Sequence, residues 1–237
     1  MTVLKERRNP DPETTGTEAD RLELSFYADP LCCWSWALLP GIEQLEQRFG
    51  KNLRVSVCMA GMIPGWSGFS DPLHAVTRPA QMGPVWMDAA ARTGIPFESS
   101  VWVDNPPASS YPPCIAIKTA ALQSPQAERA FMKHLMEALM IHGRNIASRE
   151  VLAAIAGEVA TLDPAVFDAG HFYANYNGEE SRNAFRQDLQ KASMNRIGRF
   201  PTVTITGPGR KGIIFTGYRP YETLSEALFS VAPELRP

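Results

Sequence analysis

A strand, a helix and a second strand succeed one another between Leu22 and Met59, and this succession constrains the fold more than any other feature of the chain. Leu22, Leu24, Phe26 and Ala28 alternate with Glu23, Ser25 and Tyr27, the two-residue period of a strand, and the pattern stops at Asp29-Pro30. Trp36, Leu39, Ile42, Leu45 and Phe49 then recur at three- and four-residue spacing, which predicts a helix that Pro40 should kink and Gly50 should end. Leu53, Val55, Val57 and Met59 alternate again. Two strands separated by a helix pair in parallel, since a tight turn joins only antiparallel neighbours, so the chain is expected to be of the α/β class.

Residues 61–113 are rich in Gly, Pro, Ser and Trp and predict loops around one helix near residues 79–93. Helical segments follow: one over residues 113–123, one with Ser124 as N-cap and Pro125 at its first position, one starting at Ser148, and one starting at Asp163 with Pro164 in the first turn. Together they predict an all-helical block over residues 65–175. A long helix over 178–195 carries Phe185, Leu189 and Ala192 inward. Residues 202–206 and 213–217 then read as an antiparallel hairpin around a Gly-rich turn, and a final helix begins near Pro220.

The chain has 237 residues, 44% of them hydrophobic and 20% charged, with a net charge of −2, which excludes collagen-like, coiled-coil and wholly disordered classes. Its 23 basic and 25 acidic residues give no electrostatic footprint for nucleic acid or an anionic membrane. Residues 1–21 lack periodicity and an apolar core segment, so they are expected to be a disordered leader and not a secretory signal. With no apolar run of membrane-spanning length, a cytoplasmic location is expected.

The stretch Asp29-Pro30-Leu31-Cys32-Cys33-Trp34-Ser35-Trp36 occupies the strand-to-helix junction. A thiol in the first helical turn faces unpaired backbone N–H groups and the positive end of the helix dipole, both of which favour the thiolate. Cys32 is therefore the candidate nucleophile, its pKa expected to be depressed. Ser35, one turn on, is within reach of a thiolate or of a bound thiol. Cys58, in an apolar strand, and Cys114, in an apolar helix, read as core residues. His74, His134, His142 and His171 lack metal-ligand spacing, and no metal is expected.

The run 29–36, Pro40, the later Arg199-Phe200-Pro201-Thr202 and the order of elements together resemble the DsbA-like branch of the thioredoxin superfamily over residues 22–235. The resemblance implies a thioredoxin-like fold with a central mixed β-sheet: residues 22–64 and 176–237 form the thioredoxin-like domain, with residues 65–175 as a helical insertion after the second strand. It also implies roles. Cys32 matches the nucleophilic cysteine, Cys33 and Trp34 the two intervening positions, Ser35 the resolving cysteine, and Pro201 the cis-proline. Cys33, Trp34, Phe200 and Pro201 are thereby expected to border the substrate. The segment 61–66 resembles the loop that borders the site in such proteins.

Serine at position 35 is the departure from that family's pattern. Without a second thiol there, a mixed disulfide on Cys32 must be released by an external thiol. Cys33 is a poor substitute, because adjacent Cα atoms lie about 3.8 Å apart, below the separation of most disulfides. Three functions follow. The first is a single-thiol disulfide oxidoreductase acting on protein or peptide substrates, with no tightly bound cofactor and glutathione as candidate co-substrate. The second is a kappa-like glutathione transferase or isomerase in which Ser35 activates bound glutathione. The third is a non-catalytic cytoplasmic adaptor that keeps the fold.

Overall fold

The structure, a computed structural model, describes residues 21–207, 209 and 212–236. Apart from Arg21, the expected leader lies outside the described residues, as does part of the turn after Gly207. Strand β1 (Leu22–Ala28), helix α1 (Cys33–Phe49) and strand β2 (Leu53–Met59) form the first unit. β1 and β2 pair in parallel from Leu22 opposite Leu53 to Ala28 opposite Met59. Strands β3 (Thr202–Thr206) and β4 (Gly212–Thr216) complete the sheet. β3 runs antiparallel to both β1 and β4, giving a mixed sheet in the order β2-β1-β3-β4. The fold is α/β and thioredoxin-like.

Between β2 and β3 lie α2 (Met82–Thr93), α3 (Val101–Asp104), α4 (Tyr111–Ala121), α5 (Pro125–Met140), α6 (Arg149–Leu162), α7 (Ala169–Asn175) and α8 (Glu179–Met194); α9 (Tyr221–Val231) follows the hairpin. The strand alternation decides which helix covers which face. Leu22, Leu24 and Phe26 turn toward α1 and α9, where Gly41 of α1 leaves only a methyl's width to Leu224 of α9. Tyr27 and Cys58 turn the other way and are buried with Ala192 of α8.

A buried ion network fastens the helices to the sheet. Lys118 of α4 reaches Glu128 of α5 at 2.7 Å, Asp188 of α8 at 3.1 Å and the Val57 carbonyl of β2 at 3.3 Å. Asp188 also accepts the Met59 N–H at 2.8 Å. Burial alone would pull the Lys118 ammonium down, but the two carboxylates outweigh it and hold its pKa above the usual lysine value. The charges persist because each has a partner of opposite sign.

Helix starts follow their caps. Ser124 accepts the Ala127 N–H and Ser148 the Val151 N–H, each bond worth about 1 kcal/mol. The start expected at Asp163 is not found. Asp163 instead caps the end of α6, its carbonyl closes one turn on Val166 and Phe167, and α7 begins after Asp168, whose carboxylate takes the N–H groups of Gly170 and His171. Tertiary packing sets that break, because Phe167 must stack on Phe131 with ring centroids 5.3 Å apart. The short helix α3 has no counterpart in the sequence reading. Its four residues are too few for a period to register.

Candidate functional site

Cys32 is the N-cap of α1, in extended backbone conformation. Its N–H donates to the Asp29 carbonyl at 3.0 Å, and its own carbonyl takes the N–H groups of Ser35 and Trp36. The thiol points across to the second half of the chain and donates to the Phe200 carbonyl at 3.6 Å. The Phe200–Pro201 peptide bond is cis. The Pro201 carbonyl accepts Gly217 N–H, and the Arg199 carbonyl accepts the Thr202 hydroxyl, so both sides of this bend are tied down.

The expected depressed pKa is corrected by the structure. Cys32 is only 5% exposed, and burial pushes its thiol up to about 11, against the lowering effect of the Ser35 hydroxyl and the Ser35 N–H. At an N-cap the helix dipole acts over a short range, and here loss of solvation outweighs it. The hydrogen bond to the Phe200 carbonyl is one that only the protonated thiol can donate.

Beneath the thiol sits Asp29, fully buried. Its N–H donates to the Ser35 hydroxyl at 3.3 Å, and its carboxylate takes the N–H groups of Leu31 at 2.9 Å and Met62 at 2.6 Å. Burial raises the Asp29 pKa, and those two backbone donors oppose the shift. The Cys114 thiol approaches the same carboxylate at 3.9 Å. Asp29 thus ties β1, the start of α1, the loop after β2 and α4 together. Gly61, one residue before Met62, has φ +61°, and a Cβ there would fall 2.9 Å from both Phe185 and Tyr111, so only glycine fits this corner.

Beside the cis-proline bend opens a cleft of about 530 Å³, lined by Trp34, Met62, the 69–74 loop, Arg92, residues 198–200 and residues 216–219; Cys32 and Pro201 are not among its lining residues, and the Cys32 thiol meets it through Phe200. Trp34, expected to border the substrate, does line the cleft, half-buried under the Arg92 guanidinium, 4.9 Å above its ring, and beside Tyr218. Trp36, two residues on, is half-buried as well. Cys33 does not border the cleft. It is 1% exposed and packed into the hydrophobic core, and burial pushes its thiol well up. Ser35 is also fully buried, under Cys32 and away from the cleft.

A family profile described as Thioredoxin matches residues 26–226. The chain belongs to the thioredoxin family. It is 28% identical over 221 residues to the ClpXP adapter protein SpxH of Halalkalibacterium halodurans, a match covering 91% of this chain and 70% of that one. For the SpxH of Shouchella clausii the share falls to 66% of the relative's length, at 26% identity. Among solved structures, one from Nitrosomonas europaea superposes with a TM-score of 0.74 at 21% identity, covering 91% of this chain and 99% of the other. The cytosolic disulfide reductase DsbM from Pseudomonas aeruginosa superposes with a TM-score of 0.63 at 22% identity, covering 87% and 92%, and has also been solved with GSH.

Within this thioredoxin-family frame, the sequence reading brought together Cys32, Ser35, Phe200 and Pro201, which the structure holds within one junction. It missed Asp29 as an organiser, although Asp-Pro directly before a helix was a visible signal of a carboxylate folding back on its own backbone. Arg92, Tyr218, Arg219 and the Asp71–His74 pair, 2.7 Å apart, carried no local signal, because each joins the cleft only through tertiary structure. Among the described residues no group of three or more His, Cys, Asp or Glu side chains is placed to hold a metal ion. No helix among them is long and apolar enough to cross a membrane.

Proposed function

We propose that the protein is a thiol–disulfide oxidoreductase that works through Cys32 alone, in the reducing direction. The observation that carries this reading is the Cys32 thiol facing the Phe200 carbonyl of the cis-proline bend at the rim of an open cleft. An extended peptide lying along that bend would bring a disulfide sulfur to Cys32, in a strand-addition mode. The Cys32 sulfur, its proton released to solvent, attacks that sulfur; a bond forms between them, the substrate S–S bond breaks, and the leaving sulfur departs as thiolate and is protonated. Glutathione, the external thiol in this reading, then attacks the other sulfur of the mixed disulfide; a disulfide forms between those two sulfurs, the bond to Cys32 breaks, and Cys32 leaves as thiolate and is protonated. For a glutathionylated substrate the freed products are the substrate thiol and glutathione disulfide.

The raised pKa supports that direction. A strong oxidant needs a stabilised thiolate in its reduced form, and Cys32 lacks one, so its reduced state is the resting thiol. All four cysteines are free thiols, which suits a reducing, cytoplasmic setting. Ser35 acts as a positioning residue here, while the transferase reading would need its hydroxyl in the cleft, from which burial separates it.

The test is turnover of a glutathionylated peptide with glutathione as reductant. Cys32→Ser should lower the rate by about a thousandfold, since the nucleophile is gone, with Cys58→Ser unchanged. Full activity in Cys32→Ser overturns the reading. A second reading, an adaptor that binds a protein partner without catalysis, is favoured by the shielded thiol and by relatives named ClpXP adapter protein. It is supported instead if no disulfide or mixed disulfide turns over while Cys32→Ser keeps a defined protein partner.

A further inference from the structure

The cleft beside Cys32 has a charge that the rest of the molecule does not share. The chain as a whole carries −2, yet three arginines from three separate segments line this one opening: Arg92 at the end of α2, Arg199 on the cis-proline bend and Arg219 after β4. Asp71 is the only carboxylate lining it among the described residues. Its oxygens are already engaged, one by the Leu73 N–H at 2.9 Å and the other by His74 at 2.7 Å. Arg199 and Arg219 form no ion pair among the described residues, and the one hydrogen bond of the Arg219 side chain is to its neighbour's carbonyl. Arg92 meets Asp88 only at 3.5 Å, with both side chains more than half exposed, a geometry worth little in water. The guanidinium forks are therefore available to carboxylates, which they match in shape as well as charge.

Aromatic surface lies between the charges. Tyr218, its ring centroid 6.3 Å from that of Trp34, offers apolar surface for the methylene groups of a ligand, while Arg92 stacks on Trp34. The volume, about 530 Å³, sits in the range of small-molecule sites and is too confined for a folded domain. Resting on the reading that Cys32 exchanges thiols, we propose that this cleft is a carboxylate clamp: Arg92, Arg199 and Arg219 select a small peptide thiol bearing at least two carboxylates and present its sulfur to Cys32.

Isothermal titration of the Cys32→Ser protein tests the clamp apart from the redox step. The probes are reduced glutathione and its diethyl ester, which has the same backbone and sulfur without the two negative charges. Glutathione should bind at least about tenfold more tightly than the diester, and Arg92→Gln, Arg199→Gln and Arg219→Gln should each weaken glutathione by roughly three- to tenfold with the diester unmoved. The advantage of the acid should shrink with added salt, because the arginines are exposed. Equal binding of acid and ester, arginine variants without effect, or no binding at millimolar glutathione overturns the proposal. So does binding of an acidic peptide that lacks a thiol in glutathione's place, which would make the cleft a protein-segment site. Turnover by the unmodified protein with 2-mercaptoethanol, a neutral thiol, separates the two claims: its absence breaks the exchange reading, while the titration still decides the clamp.

Discussion

Cys32, at the start of α1, and Cys58, in β2, are two buried thiols whose surroundings differ in a way that their acidity does not reveal. Each donates to a backbone carbonyl, Cys32 to Phe200 at 3.6 Å and Cys58 to Asp188 at 3.3 Å. Burial pushes both up, to about 11 and about 12, with the Asp188 charge adding to the rise at Cys58. The carbonyl facing Cys32, however, belongs to the rim of an open cleft lined by arginines, whereas the one facing Cys58 belongs to the middle of α8, above the Lys118 network. Acidity at rest therefore does not distinguish a reactive cysteine from a structural one in this molecule. The distinction lies in what the sulfur faces.

The comparison is sharpest under the Cys58 side. Lys118→Met strands Glu128 and Asp188 in a buried site without their cation and should destabilise the fold by about 3–5 kcal/mol. Urea unfolding measures this, and thiol exchange by the folded fraction should be unaffected. If exchange falls in proportion to the lost ion network, the two regions are not independent.

Alkaline titration addresses both thiols together. Their folded-state pKa values are raised above the ordinary value of 9.0, so their contribution to stability is complete below that pH. It is lost as pH rises through 9 toward 11 and 12, because the unfolded chain gives up its protons first. Cys32 accounts for on the order of 3 kcal/mol of that loss. Cys58→Ala and Cys32→Ala should each flatten the alkaline limb of a stability–pH curve. A curve that stays level up to pH 11 would contradict the burial argument.

A smaller difference should appear on alkylation below pH 9, where both thiols react slowly because both are protonated. Cys32 should still be modified about ten times faster than Cys58, since it lies nearer the cleft and its pKa is lower. Peptide mapping by mass spectrometry reads the ratio, and equal rates would erase the contrast. The smallest effect is expected from Ser35→Ala. It removes the acceptor for the buried Asp29 N–H and a hydrogen bond that lowers the Cys32 pKa, costing about 1–2 kcal/mol and slowing alkylation further.

Most of the fold was legible because its signals are local. Leu22 to Ala28 alternate visibly, Ser124 and Ser148 precede their helices and cap them, and Gly50 follows the last helical residue of α1. Where a local signal met tertiary packing, packing won. Asp163-Pro164 looks like a helix start, yet the helix begins after Asp168, with Phe167 stacked on Phe131 in the turn between. The site divided along the same line. Cys32 and Ser35 belong to one turn of chain and announced themselves, but the acidity of Cys32 depends on burial that no spacing encodes, and the downward expectation was reversed. The arginines were invisible for a related reason. Arg92 and Arg219 are more than a hundred residues apart, and nothing in either neighbourhood marks them as facing a common space.

The cleft draws its walls from four stretches of chain: the junction after β1, the loop and helix before Thr93, the bend before β3 and the segment after β4. Any molecule held between them acts as a cross-brace between stretches of chain as far apart as Trp34 and Arg219. Occupancy should thus register far from the sulfur, as slower amide exchange at the end of α2 and resistance to proteases, so that filling the groove and stiffening the architecture become one event.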